Sequence, residues 1–324
     1  MSKLPNNKYL VTGCAGFIGS SLVDRLLSLG HVVIGLDNFS TGQKKFIDSA
    51  LLNPNFELIE VDLLEFDNLI KHFSNIDTVF HLAANADVRF GVENTYRDLQ
   101  QNTIATYNVL ESMRLNNVSK IIFSSTGSVY GESEVIPTPE NGPFPIQTSL
   151  YGASKVASEG LISSYCEAFN FQSWIFRFVS ILGERYTHGH VFDFYKKLAI
   201  DSNNLFVLGD GRQKKSYLYI QDCIDAILIA ILKSDNSVNI FNLGQKDFCE
   251  LNQSINWICE ELKLQPTLEY GGGERGWIGD NPFIFLDTTK IQSLGWEPKV
   301  SIRTGIIRTI EYLRNNEWVF EERN

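Results

Sequence analysis

The sequence predicts a doubly wound parallel α/β sheet with a smaller, interleaved second portion. Three observations predict it. Strand-length apolar runs alternate with helix-period segments through the first half, a glycine-rich turn follows the first run, and this regularity fades past about residue 178.

The runs KYLVT (8–12), VVIGL (32–36), FELIEV (56–61), DTVFHL (77–82), KIIFSS (120–125) and SWIFRF (173–178) are short and apolar, as strands covered on both faces are. Segments 17–29, 94–115 and 149–169 repeat apolar residues at helical spacing and supply the crossovers. Right-handed crossovers lay helices on both faces of the sheet. Beyond residue 178 come the loops GERYTHGH and LGDGRQKK and a Gly-rich stretch at 271–276. Between them, SYLYIQDCIDAILIAILK and VNIFNLG again read strand, helix, strand and rejoin the main sheet. The expected division is a first domain over 1–178, rejoined by 217–243, and a substrate-binding portion over 179–216 and 244–324.

With 324 residues, 44% hydrophobic and 20% charged, the chain can bury a large core without disulfides. A formal charge of -10 argues against a polyanion-binding surface, so no nucleic acid is expected as a partner. The amino terminus MSKLPNNKYLVTG lacks a secretory apolar core, and no later run has the length to span a bilayer, so the expected location is the cytoplasm without membrane contact. Cys14, Cys166, Cys223, Cys249 and Cys259 lie far apart and form no CxxC pair, the pattern of reduced structural thiols.

Directly after the first run stands Gly13-Cys14-Ala15-Gly16-Phe17-Ile18-Gly19, leading into an amphipathic segment. Glycines let the backbone approach a pyrophosphate closely, and the N–H groups and dipole of a helix start favour its charge. The second run ends at Asp37, eighteen residues past Gly19, where a carboxylate can accept from the adenosine ribose hydroxyls. The expected cofactor is NAD. Asp37 repels a 2'-phosphate, and no Arg follows it immediately. Asp62, ending the third run, either meets the adenine edge or is a surface-loop carboxylate.

Tyr151-Gly152-Ala153-Ser154-Lys155 sets Tyr and Lys one turn apart on one helix face. A nearby ammonium favours the phenolate, which makes Tyr151 a candidate base near neutral pH, with Lys155 placed to hold the nicotinamide ribose. Thr126 ends the fifth run at the carboxyl edge where such sheets bind ligands; it either hydrogen-bonds the substrate oxygen or caps a loop.

The motifs TGCAGFIGS, LDNFSTG, HLAANADV, FSSTGSVYGE, YGASK, LGDGRQKKSYLYIQD and LGWEP together resemble the extended short-chain dehydrogenase/reductases over almost the whole chain. Within them the sequence is most similar to the nucleotide-sugar epimerases and dehydratases, in particular the UDP-sugar 4-epimerases. The resemblance implies a Rossmann-type NAD-binding fold, a nucleotide diphosphate sugar as substrate, a homodimer, and catalysis by Thr126, Tyr151 and Lys155. It implies cofactor contacts at Gly13, Gly16, Phe17, Ile18, Gly19, Asp37, Asn38, Ser40, Gly42, Asp62, Leu63, Leu82, Ala83, Ala84, Asn102, Tyr151 and Lys155. The dimer would pair helices near 94–115 and 149–169, although Leu110, Val156 and Leu161 there also suit a monomer core.

Every reaction of the resembled family begins by oxidising the sugar at C4. Dehydratases typically follow the Thr with Asp and Glu, and decarboxylases carry a Glu two positions after it, whereas this chain has Gly127 and Ser128. Epimerisation is therefore favoured, with dehydration, decarboxylation, or a sensor that binds without turnover as the alternatives. Substrate contacts are expected at Asp87, Arg89, Thr126, Ser180, Arg212, Lys215 and Arg275. Ser180 stands where Asn is usual, and Lys215 where Arg often grips the diphosphate, giving charge without the forked geometry. For Arg212, Lys215 and Arg275 the other reading is a solvated surface charge, and for Asp87 and Arg89 it is ordinary loop solvation. His188 and His190 lack the company of a metal set, and no metal is expected.

Overall fold

In the computed structural model, which describes residues 8–86, 90–143, 146–277 and 279–321, the alternating runs build one seven-stranded sheet. Its strands are β1 (Lys8–Thr12), β2 (Val32–Asp37), β3 (Phe56–Glu60), β4 (Thr78–His81), β5 (Lys120–Thr126), β6 (Gln172–Phe178) and β7 (Val238–Leu243). They stand in the order β7-β6-β5-β4-β1-β2-β3, and β1 pairs in parallel with both β2 and β4. The chain first winds outward from β1 through β2 to β3, then crosses back to place β4 on the other side of β1. That reversal opens a crevice at the carboxyl ends of β1 and β4.

Three crossover helices are α1 (Phe17–Ser28), α2 (Ala105–Leu115) and α3 (Leu150–Phe169). Gly30, at φ +84, takes the left-handed turn that releases the chain from α1 into β2. Ser149 starts α3 by accepting the Gly152 N–H at 3.0 Å, and Asn170, at φ 55, ends it. Leu10, Val79, Ile121 and Phe123 of the sheet pack with Val109, Leu110 and Met113 of α2 and Ile162 of α3 in one buried cluster. Burying each such side chain contributes on the order of 1.5–3 kcal/mol.

The helix expected over 94–115 runs without a break from Thr95–Asp98 into α2, but its middle, Leu99–Ile104, is π-helical. Widened turns of this kind are rare and concentrate at functional sites.

The chain forms two compact units. The described residues within Met1–Val129, Ser149–Arg177 and Ile227–Phe241 make the first, and those within Tyr130–Thr148, Phe178–Ala226 and Asn242–Asn324 make the second. Two boundaries differ from the sequence expectation. Segment 130–148 joins the second unit, because Asn242 gathers it: the Tyr130 hydroxyl donates to Asn242 Oδ1 at 2.8 Å, and Asn242 Nδ2 donates to the Thr138 carbonyl at 2.9 Å. Of 217–243, only the later part returns to the main sheet, since Tyr217–Tyr219 pairs with Ser180–Leu182 in a separate two-stranded sheet. Among the described residues no helix is long and apolar enough to cross a membrane.

Candidate active site

The site begins where β1 ends. Gly13 leaves the strand at φ +68, and a Cβ on it would lie 2.8 Å from the Ala83 backbone, so the turn rests against the chain leaving β4. A Cβ on Gly19 would lie 2.0 Å from the Gly13 carbonyl oxygen, so the first turn of α1 is seated on the same loop. Gly16 caps α1 without a side-chain bond, and the first turn, which contains Phe17 and Ile18, holds no acidic residue. A helix start with backbone donors and no counter-charge is what a pyrophosphate requires, so these residues fit a dinucleotide.

Asp37 closes the loop from the neighbouring strand. Its carboxylate accepts the Ala15 N–H at 2.9 Å and the Phe39 N–H at 2.9 Å. A Cβ on Gly42 would lie 2.7 Å from Asp37 Oδ1, so this segment also wraps the acid. Burial pushes the Asp37 carboxyl above its ordinary value, against the pull of these backbone donors. Asn38 and Asp62 meet each other, Asn38 Nδ2 donating to Asp62 Oδ2 at 3.0 Å, while Asn38 Oδ1 accepts the Ser40 N–H at 3.0 Å. The Leu63 carbonyl accepts from Asn108 Nδ2 at 2.8 Å, which ties this edge to α2.

The floor between β1 and β4 is polar and closed. The Thr12 hydroxyl accepts the N–H groups of Leu82 and Ala83, each at 3.2 Å, and meets His81 Nδ1 at 2.8 Å. Thr106 meets the other ring nitrogen of His81 at 3.0 Å. Burial, with the nearby Lys155 charge, draws the imidazole down to about 3, so His81 is a neutral brace at working pH. Ala84 follows in the same partly buried segment.

On the opposite side, α3 carries Tyr151 and Lys155. The Tyr151 phenol is hydrogen-bonded to Thr126 at the end of β5, and the Thr126 hydroxyl also accepts the Ser128 N–H at 3.1 Å. Desolvation pushes the phenol up to about 12; the Thr126 bond opposes this and the Asp98 charge adds to it. Lys155 is 2% exposed, donates to the Ser124 carbonyl at 2.8 Å and lies 4.7 Å from the Phe123 ring centre. Burial draws its ammonium down to about 7, against the attraction of Glu159 and Asp98. The fold thus brings Thr126, Tyr151 and Lys155 together, with both ionisable groups tuned toward neutrality by desolvation.

Asn102, expected at the cofactor, spends its side chain on protein partners. Its Oδ1 accepts the Asn85 N–H at 2.9 Å and its Nδ2 donates to Ser154 Oγ at 2.9 Å. Asn85 Nδ2 in turn donates to Asp98 Oδ1 at 2.7 Å, and Thr103 donates to the Ser154 carbonyl at 3.2 Å. The π-helical segment therefore docks on α3 between Tyr151 and Lys155. Asn85, Asp98, Ser154 and His81 were missed in the sequence. The available signal was a polar residue standing in an otherwise apolar run, as in DTVFHL and HLAAN.

In the second unit, two of the expected cations converge. Lys215 Nζ pairs with Asp280 Oδ1 at 2.6 Å, and Arg275 donates to the Asp280 carbonyl at 3.0 Å while pairing with Glu132 at 2.6 Å. Arg212 is exposed, with its N–H on Asp210 Oδ1 at 2.9 Å, and Ser180 is an exposed strand residue opposite Tyr217. His190 is an internal hydrogen-bond partner of Ser254 at 2.6 Å. Asp87 and Arg89 lie outside the described residues.

A UDP-glucose 4-epimerase of Mycolicibacterium smegmatis is 32% identical, over 94% of this chain and 98% of that protein. The crystal structure of a UDP-glucose 4-epimerase from Thermotoga maritima with UDP-glucose superposes with a TM-score of 0.85 at 33% identity, over 96% of this chain and 99% of that one. A UDP-glucuronic acid decarboxylase of Arabidopsis thaliana is 30% identical, over 95% of this chain and 70% of that protein. A family model matches residues 9–244, from β1 through α3 to the end of β7. The chain belongs to the NAD dependent epimerase/dehydratase family, and its cofactor is NAD.

Proposed function

We propose that the protein interconverts the C4 epimers of a UDP-sugar. The observation that carries this is the residue pair behind Thr126. Gly127 offers no side chain, and the Ser128 hydroxyl accepts from Thr126 Oγ1 at 3.3 Å, so neither position supplies an acid for elimination or decarboxylation. Tyr151 takes the proton of the C4 hydroxyl, Thr126 hydrogen-bonds that oxygen, and the Lys155 ammonium stabilises the phenolate. NAD held by the Gly13–Gly19 loop and Asp37 would supply the reversible hydride acceptor that oxidation and re-reduction at C4 require. Lys215 and Arg275 are the proposed holders of the diphosphate, with Ser180, Arg212, Asp87 and Arg89 as further substrate contacts. An anchored nucleotide diphosphate retains the ketone while the sugar turns, using binding energy remote from the reacting carbon.

Incubation with UDP-glucose or UDP-galactose, read by mass spectrometry and proton NMR, tests the reaction. The expected product has unchanged mass and inverted C4. A product lighter by water or carbon dioxide overturns the assignment and points to a lyase.

A homodimer is proposed as the working form, in the cytoplasm, where five unpaired cysteines remain reduced. Leu99, Tyr107 and Leu150 expose 46%, 47% and 43% of their surface beside α2 and α3, which supports a paired face. Leu110 does not contribute to it, being fully buried in the core. A monomeric mass by light scattering at micromolar concentration would rule the dimer out.

A further inference from the structure

Glu159 lies on α3 one turn past Lys155 and two turns past Tyr151, so the three side chains share a helix face. It is 7% exposed. Its Oε1 accepts the Ser125 hydroxyl at 2.5 Å. Arg177 of β6 grips the same carboxylate, donating Nε to Oε1 at 3.0 Å and Nη2 to Oε2 at 2.6 Å. The two side chains of this pair are only 12% and 10% exposed. One carboxylate therefore joins β5, β6 and α3 at the level of the site.

Its neighbours in sequence give the position meaning. Ser125 stands between Ser124, whose carbonyl receives Lys155 Nζ, and Thr126, which bonds Tyr151. Fixing Ser125 to α3 thus fixes both the acceptor of the lysine and the partner of the tyrosine relative to the helix that carries them. A buried ion pair is a poor source of stability, because desolvating both charges costs about what their attraction returns; apolar residues of the same size often do as well. Stability alone does not account for an ion pair built here.

We infer that Glu159 is a positioning residue for the reaction, holding the end of β5 against α3 through Ser125 and keeping Lys155 protonated through its charge. The inference rests on Tyr151 and Lys155 acting as proposed. Among the described residues, the charged and titratable groups that interact with Lys155 are Glu159 on its own helix, Asp98 from the segment before the π turn, and His81 from β4; Arg177 pairs with Glu159 from β6. His81 is neutral, so the carboxylates of Glu159 and Asp98 are what oppose the desolvation of the ammonium.

The test is an NMR titration of the full-length protein carrying 13C-labelled lysine, with Lys155→Met to assign the resonance. Glu159→Gln leaves Arg177 uncompensated and is expected to lower the Lys155 midpoint by about one to three pH units. The double variant Glu159→Gln/Arg177→Met removes both charges and is expected to bring the midpoint most of the way back. Should Glu159→Gln fail to fold, Arg177→Met carries the same test with opposite sign, because the uncompensated carboxylate raises the midpoint. Ser125→Ala keeps the charges but cuts the tether; kcat is expected to fall about tenfold with the lysine midpoint unmoved, a barrier change of about 1.4 kcal/mol. A midpoint unmoved in folded Glu159→Gln or Arg177→Met, or an unchanged kcat in Ser125→Ala, overturns the proposal. The titration reads Lys155 without catalysis, so failure of the epimerase reading, seen as full activity in Tyr151→Phe, is distinguishable from failure of this one.

Discussion

Tyr151→Phe is expected to lower kcat by roughly 10²–10⁴-fold, the usual worth of a positioned proton-transfer group, with NAD retained on the protein. The substitution keeps the ring and removes only the phenolic oxygen. Stability should change little, since the lost bond to Thr126 is replaced by the rotation of a hydroxyl that also meets Ser128. The pH dependence has a defined sign. Without a ligand the phenol is held up to about 12 by desolvation, so it is protonated at neutral pH. It serves as a base only to the extent that positive charge beside it brings that value down, and Lys155, one turn along the same helix, is the residue proposed to supply it. The rate with the unsubstituted protein should therefore rise with pH as the phenolate forms and fall once the Lys155 ammonium is lost. Tyr151→Phe should lose the rising limb. Stopped-flow absorbance at the NADH band with UDP-sugar checks this; a kcat within twofold of the unsubstituted protein would remove Tyr151 from the mechanism.

Gly19→Val is expected to abolish measurable NAD binding, a loss of at least about 100-fold, or about 2.7 kcal/mol. The Cβ would lie 2.0 Å from the Gly13 carbonyl oxygen and 2.8 Å from its carbon, and these are backbone atoms that cannot rotate away. Gly13 cannot yield either, since it backs onto the Ala83 main chain. Relief requires the first turn of α1 to move off the loop, which removes the donors aimed at the pyrophosphate. Gly30→Ala is the control. Gly30 has φ +84 with open space around a Cβ, so it carries a conformational cost of about 1 kcal/mol and no clash. Calorimetric titration with NAD should show normal affinity for Gly30→Ala and none for Gly19→Val. Equal affinities would mean the glycine loop is a packing device and not the phosphate seat.

The first unit was legible because its strands are buried on both faces and its crossovers repeat at helical spacing. Leu10, Val79 and Ile121 have no exposure, and a run such as KIIFSS can belong to little else. The glycine loop and the Tyr-Lys spacing were legible for a related reason: the chemistry lies within a few residues of sequence. What escaped the sequence is long-range polar contact. Asp280 reaches Lys215 across 65 residues, and Asn242 reaches Thr138 across 104. No periodicity encodes such pairs, and segment 130–148 has none of its own, so its place in the second unit was invisible. Asn102 shows a different limit. The resemblance implies a cofactor contact there, and nothing in the sequence announces that the side-chain amide of this π-helical residue also meets Asn85 and Ser154. A widened turn leaves the hydrophobic spacing almost intact and is silent in the pattern.

The strand order has a consequence for how the protein is made. β6 is flanked in the finished sheet by β5, completed just before it, and by β7, which begins only at Val238. Until that residue has left the ribosome, one whole side of β6 is an open template of unpaired N–H and C=O groups. The strand is apolar, with Trp174, Ile175 and Phe176 all but fully buried once the fold is complete. An exposed apolar edge of this kind recruits other strands, including those of neighbouring nascent chains. The stretch 179–237 that separates the two strands is thus also an interval of vulnerability in synthesis, during which the dinucleotide half is nearly built yet open to misassembly along β6.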